Sequence, residues 1–172
     1  MTDVLDEARV LVACGRFVEA DAILDPILAE GSPPAEALLL KAAVFLERRQ
    51  DAAARELARR AVEIAPRSAE ALNTMARCQH ALREDAEALE TAERARAVLK
   101  EGDNFRETAP VYLTLVWCLR ELRRYREAVA IAEEGLLRCP DAVLAHWASI
   151  VEEELAESED CLLYTSPSPR DS

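Results

Sequence analysis

The chain is expected to be all-α, and three features of its 172 residues say so. It is rich in Ala, Leu, Glu and Arg, with only four Gly and 5% aromatic residues, a composition that favours helices and suits sheets poorly. Apolar residues recur at spacings of three and four, which gives each helix one buried stripe. Small residues also return at a fixed interval: Ala20, Ala54 and Ala88 lie 34 residues apart, and Ala128 follows 40 later. Half of the chain, 51%, is apolar, enough for a sizeable core.

The register extends to other positions. Ala8, Ala42, Ala76 and Val116 keep the same spacing, as do Val4, Leu38, Leu72 and Tyr112, and Leu24, Ala58, Ala92 and Ala132. Four helix pairs are therefore expected, over about residues 1–34, 35–68, 69–102 and 109–142. In the first pair Pro26 falls inside the second helix, where it removes a backbone hydrogen bond and is expected to kink or split it. Ser32 and Pro33 suit the start of the next helix. The second pair reads AEALLLKAAVFLERR, then DAAARELARRAVEIA, with Pro66 ending it. Ala42 and Ala54 sit where two antiparallel helices must approach closely, so larger side chains would push the axes apart. In the third pair Gln79 and Lys100 depart from the pattern, as Lys41 does in the second. The segment EGDNFRET at 101–108 contains Gly and turn formers and is expected to be an enlarged loop that absorbs six extra residues. The fourth pair ends at Pro140, and Asp141 suits the start of another amphipathic helix over 143–159, with Leu144, Trp147, Ile150, Val151 and Leu155 at helical spacing. This last helix is either a cap or the first half of a fifth pair.

In this register the chain resembles the tetratricopeptide repeat family, over about residues 1–142. The fourth copy, YLTLVWCLRELRRYREAVAIAEEGLLRCP, carries the pattern best through Tyr112, Leu115, Leu119, Tyr125, Ala128, Ala132, Gly135 and Pro140. The resemblance implies a right-handed superhelical solenoid of antiparallel helix pairs whose concave groove binds a partner protein.

Several functions are disfavoured. A formal charge of −12 opposes non-specific nucleic-acid binding. No apolar run approaches the roughly 20 residues of a membrane span, and Asp3, Asp6 and Glu7 stand where a signal peptide would be basic, so a cytoplasmic location is expected. Cys14, Cys78, Cys118, Cys139 and Cys161 show no metal-binding spacing and are expected to be buried and reduced. His80 and His146 belong to no catalytic constellation, and phosphate-binding and zinc-hydrolase motifs are missing. Neither a cofactor nor catalysis is expected.

The expected groove is lined by the first helix of each pair, through Leu5, Arg9 and Val12, then Leu39, Ala43 and Leu46, then Asn73, Arg77 and His80, then Leu113, Trp117 and Arg120. Its first half is apolar and its second half polar and basic. The candidate partner-binding residues are Arg9, Leu39, Asn73, Arg77, His80, Trp117 and Arg120, and the expected ligand is a peptide or helix with a carboxylate beside an apolar residue. The family's clamp for an acidic peptide C-terminus needs Lys and Asn in the first repeat, where Leu5 and Arg9 stand, so that chaperone-binding role is not implied.

Residues 161–171 read CLLYTSPSPRD, the translation of a nucleotide string that looks like the transposon adapter used to prepare sequencing libraries. Residues 161–172 are accordingly expected to be a non-native, disordered tail and the natural protein to continue past Asp160. On that view the chain could also be the N-terminal repeat domain of a longer enzyme or regulator, or self-associate through its end repeat.

Overall fold

The computed structural model describes residues 2–99 and 105–165, and among them every regular element is a helix. The first pair is α1 (Thr2–Ala13) and α2 (Phe17–Leu28), the second α3 (Ala35–Glu47) and α4 (Asp51–Ile64). The third is α5 (Ala69–Ala81) and α6 (Asp85–Val98), and the fourth α7 (Phe105–Glu121) and α8 (Tyr125–Arg138), followed by α9 (Ala142–Thr165). Each helix packs on its successor. Each first helix also packs on the next first helix, from α1 to α3, α5, α7 and α9, whereas the backbones of the second helices stand further apart and α6 reaches α8 through the Arg96–Glu134 ion pair at 2.9 Å. Such an array curves toward its first helices, which form the inner face, while the second helices splay on the outside.

The small-residue register is the core. Ala20, Ala54, Ala88 and Ala128 are fully buried, as are Ala8, Ala42, Ala76 and Val116. Leu38 packs with Ala61, and Leu72 with Ala95. In the fourth pair the larger Tyr112 meets the smaller Gly135, where a Cβ would lie 2.7 Å from Tyr112 Cγ and 2.8 Å from Leu144 Cδ2. Volume is conserved across the contact although both residues change.

The turns within pairs are built alike. The amide of Arg16 donates to the Leu11 carbonyl, and the same bond recurs from Gln50 to Phe45, Glu84 to Gln79 and Arg124 to Leu119, at 2.8–2.9 Å. This is the helix-ending motif that places one residue in left-handed backbone. Gly15 occupies that place first, at φ 72°, followed by Arg49, Arg83 and Arg123 at 58–66°.

Several expectations need correction. The residues at 105–108 are helical, so the lengthened repeat extends α7 rather than a loop alone; Lys100–Asn104 lie outside the described residues. Pro26 does not split α2, because only Ile27 and Leu28 follow it before the helix ends. Ser32 caps nothing; Pro34, in extended backbone, precedes α3. By contrast Ser68 Oγ accepts from the Ala71 amide and Asp141 Oδ1 from that of Leu144. Cys14 is exposed, since its turn borders no preceding repeat, whereas Cys78, Cys118 and Cys139 are buried. The last helix runs on to Thr165, past Asp160, because the helix-breaking Pro167 and Pro169 come later; residues 166–172 lie outside the described residues. Leu144, Ala148 and Val151 bury one side of α9, while Ala145, Ser149 and Glu152 are exposed.

Lys41 stands where its counterparts are Met75 and Leu115, yet it is only 7% exposed. Its ammonium donates to Asp21 at 2.6 Å and Asp25 at 2.5 Å on α2, and Arg48 pairs with Asp21 at 2.6 Å. An ion cluster thus replaces an apolar contact between the first two pairs. Burial opposes the charge on both Lys41 and Asp21, but the hydrogen bonds between them and to their neighbours outweigh it, raising the Lys41 pKa and lowering that of Asp21.

Candidate partner-binding face

Three hollows follow one another along the inner face. One of about 320 Å³ opens over α3 and α5, floored by Leu39, Leu40 and Ala43 and bordered by Arg9, Asn73 and Arg77. A second, of about 330 Å³, lies further along between Arg49, Arg77, Arg83, His80 and Trp117, with Glu47 at its side. The third, of about 250 Å³, is walled by Trp117, Trp147, His80 and Arg120. Arg77 borders the first two, and His80 with Trp117 separates the second from the third.

The three expected cations behave differently. Arg9 reaches from α1 to Glu36 on α3 at 2.7 Å and to Glu70 on α5 at 3.2 Å. Arg120 holds Glu154 of α9 through two nitrogens and Glu121 at 3.3 Å, with its guanidinium 5.7 Å from the Trp147 ring. Both guanidiniums lie above their ordinary pKa, chiefly through the hydrogen bonds they donate to Glu36 and Glu154. They tie neighbouring repeats together and are already compensated. Arg77 has no hydrogen bond or ion pair among the described residues and borders two of the hollows.

Leu39 is 5% exposed and anchors the groove floor in the core, and Leu5 is likewise a core residue. Asn73 is 6% exposed and its Oδ1 has no hydrogen-bond partner among the described residues. The His80 ring bonds Asp85 through Nδ1 at 2.6 Å and stacks on Trp117 at 6.2 Å and 20°. Trp117 meets Trp147 edge to face at 5.9 Å, and its buried Nε1 has no acceptor among the described residues. The structure therefore gathers Asn73, Arg77, His80 and Trp117 around the first two hollows and adds Arg49, Arg83 and Trp147, which the sequence reading missed. A signal for the two arginines was present, since they occupy the turn position of Gly15 in the 34-residue register.

Burial pushes the thiols of Cys78 and Cys118 up to about 12, far from reactivity at neutral pH. Among the described residues no cluster of His, Cys, Asp or Glu could hold a metal ion, and no helix is long and apolar enough to cross a membrane.

Helix pairs in a fixed register, stacked through their first helices, define a tetratricopeptide-repeat array, and the chain has that fold. No protein-family model and no curated protein matches the chain. Solved structures do. TTC0263, a thermophilic tetratricopeptide protein of Thermus thermophilus, superposes with a TM-score of 0.78 at 19% identity, over 90% of this chain and 82% of that one. The Sgt2 tetratricopeptide domain of Aspergillus fumigatus gives 0.66 at 19%, over 82% and 89%. YrrB, described as a tetratricopeptide protein with an unusual peptide-binding site, gives 0.64 at 19%, over 83% and 70%. At such identities the likeness is one of fold.

Proposed function

We propose that the chain is a protein-interaction module that holds an extended segment or a helix of a partner along its inner face, with a preference for acidic residues. The observation that carries this reading is the series of hollows from Leu39 to Trp147, in which Arg77 is the cation without an ion pair among the described residues, although Glu47, Glu70 and Glu107 line the same hollows. In a chain of net charge −12, an unpaired guanidinium in a recess is matched by a carboxylate, which it can bind through two parallel hydrogen bonds. The peptide-binding site attributed to YrrB lends support from a protein of the same fold.

The test is selection of binders from a random peptide library on the full chain. Acidic peptides are expected to be enriched, and Arg77→Ala is expected to weaken them by about tenfold or more, the effect of losing an interface hot spot. Ala43→Arg, which projects from the half-buried floor of the first hollow, should block longer peptides. Selected peptides without acidic bias, bound equally by both variants, would overturn the reading and move attention to the outer face.

A further inference from the structure

We infer that the far half of the groove is a two-compartment site for a partner segment that places a carboxylate beside a bulky apolar side chain, the two divided by the His80–Trp117 wall. The inference rests on the groove reading and goes beyond it in naming what each compartment takes. On one side of the wall Arg49 and Arg83 enter from the turns of the second and third pairs, and Arg77 from α5, to border one recess. The carboxylate of Glu47 is also there, Arg83 is shared with Glu121 at 2.9 Å and Arg49 lies 3.9 Å from Asp51, so the recess has three guanidiniums of which Arg77 alone has no ion pair among the described residues. A single carboxylate fits that balance, whether from an acidic side chain or from a chain end. On the other side the indoles of Trp117 and Trp147 stand edge to face at 75°, leaving a hollow with apolar walls. Arg120, at its rim, is neutralised by Glu154, so this compartment has no charge to offer an anion.

Backbone geometry supports the assignment of the turn arginines. Left-handed backbone is open to glycine and costs other residues conformational energy. Gly15 takes the position in the first pair, but arginine does in the next three. A cation at a helix C-terminus gains something from the helix dipole, and the experiment must separate that from binding. The same geometry supplies the means: Arg49→Gly and Arg83→Gly put into each turn the residue its backbone favours, so the fold survives while the charges are lost.

Both tryptophans of the chain lie in the site, which makes indole emission a direct reporter. The probes are Gly/Ser-flanked peptides with a central Glu-Phe, Gln-Phe, Glu-Ala or Gln-Ala pair, each with an amidated or a free C-terminus. The amidated Glu-Phe peptide is expected to change the emission saturably and to bind at least about tenfold more tightly than either single-feature peptide. A preference for the free C-terminus would identify the chain end as the carboxylate source. The Arg49→Gly, Arg83→Gly double variant should lose that margin while its melting temperature holds, and Trp147→Ala should remove the preference for Phe alone. Equal binding of all four peptides, or an unchanged margin in the double variant, would overturn the two-compartment site. Continued blocking by Ala43→Arg in that case would show that the groove reading itself survives.

Discussion

Gly135 shows how a repeat tolerates an outsized residue. Tyr112 fills the place of Leu38 and Leu72, fully buried, and donates its hydroxyl to Glu134 at 2.6 Å while accepting from Arg138 at 3.1 Å. Burial, reinforced by the Glu134 hydrogen bond, raises its pKa, so the phenol stays neutral. The ring takes the room that Ala61 and Ala95 use elsewhere, which leaves none for a methyl group. Gly135→Ala should therefore cost about 1–3 kcal/mol in urea unfolding, in spite of alanine's higher helix propensity. Tyr112→Leu in the same chain should restore part of that loss by recreating the Leu72–Ala95 contact, and a strictly additive double variant would disprove the compensation. This exchange was half legible in the sequence. The register aligned Tyr112 with Leu72, but its pairing with Gly135 crosses two helices. The carboxylates that occupy Arg9 and Arg120 lie 27, 61 and 34 residues away and leave no local trace.

At the scale of elements, the four turns test the link between backbone and charge. Arg83→Gly removes a surface pair with Glu121 worth a few tenths of a kcal/mol and relieves left-handed strain of roughly 1 kcal/mol, offset in part by added freedom of the unfolded chain. Its stability should stay within about 0.5 kcal/mol of the parent. Arg83→Val adds a β-branched residue to backbone that excludes it and should cost more than about 1 kcal/mol. Thermal melts of the two variants separate the cases, and equal losses would show that the side chain, not the backbone, sets stability there. Helix pairs, their breaks at Pro66 and Pro140 and the buried alanine series could be read directly, because period and helix chemistry agree. The start of α7 could not, since Gly102–Asn104 signal a turn whichever side of them the helix resumes.

Over the whole molecule, stability is distributed repeat by repeat, and the Lys41 cluster marks the joint of different chemistry. Asp21 titrates below its ordinary 3.8, so its contribution is present above that value and is lost as pH falls through the depressed one. Lys41 titrates above its ordinary 10.5, so its share is present below that value and is lost as pH rises through the raised one. Lys41→Met should accordingly cost about 2 kcal/mol at neutral pH and progressively less below pH 3.8. Because a repeat feels only its neighbours, hydrogen exchange should accelerate in α1 and α2 and remain unchanged in α5 to α8. Uniform acceleration would mean that the array unfolds as one block.

The pattern of contacts along the array also has a mechanical side. First helices pack closely from repeat to repeat, whereas second helices stand further apart and meet through long side chains such as Arg96 and Glu134, so a bending load opens or closes wedges on the outside without parting the inner ridge. That ridge acts as the neutral fibre of a flexible strip: its length is conserved while curvature changes. A partner laid along it would meet side chains at a constant pitch even as the molecule flexes, and gripping the ridge would cost little elastic work.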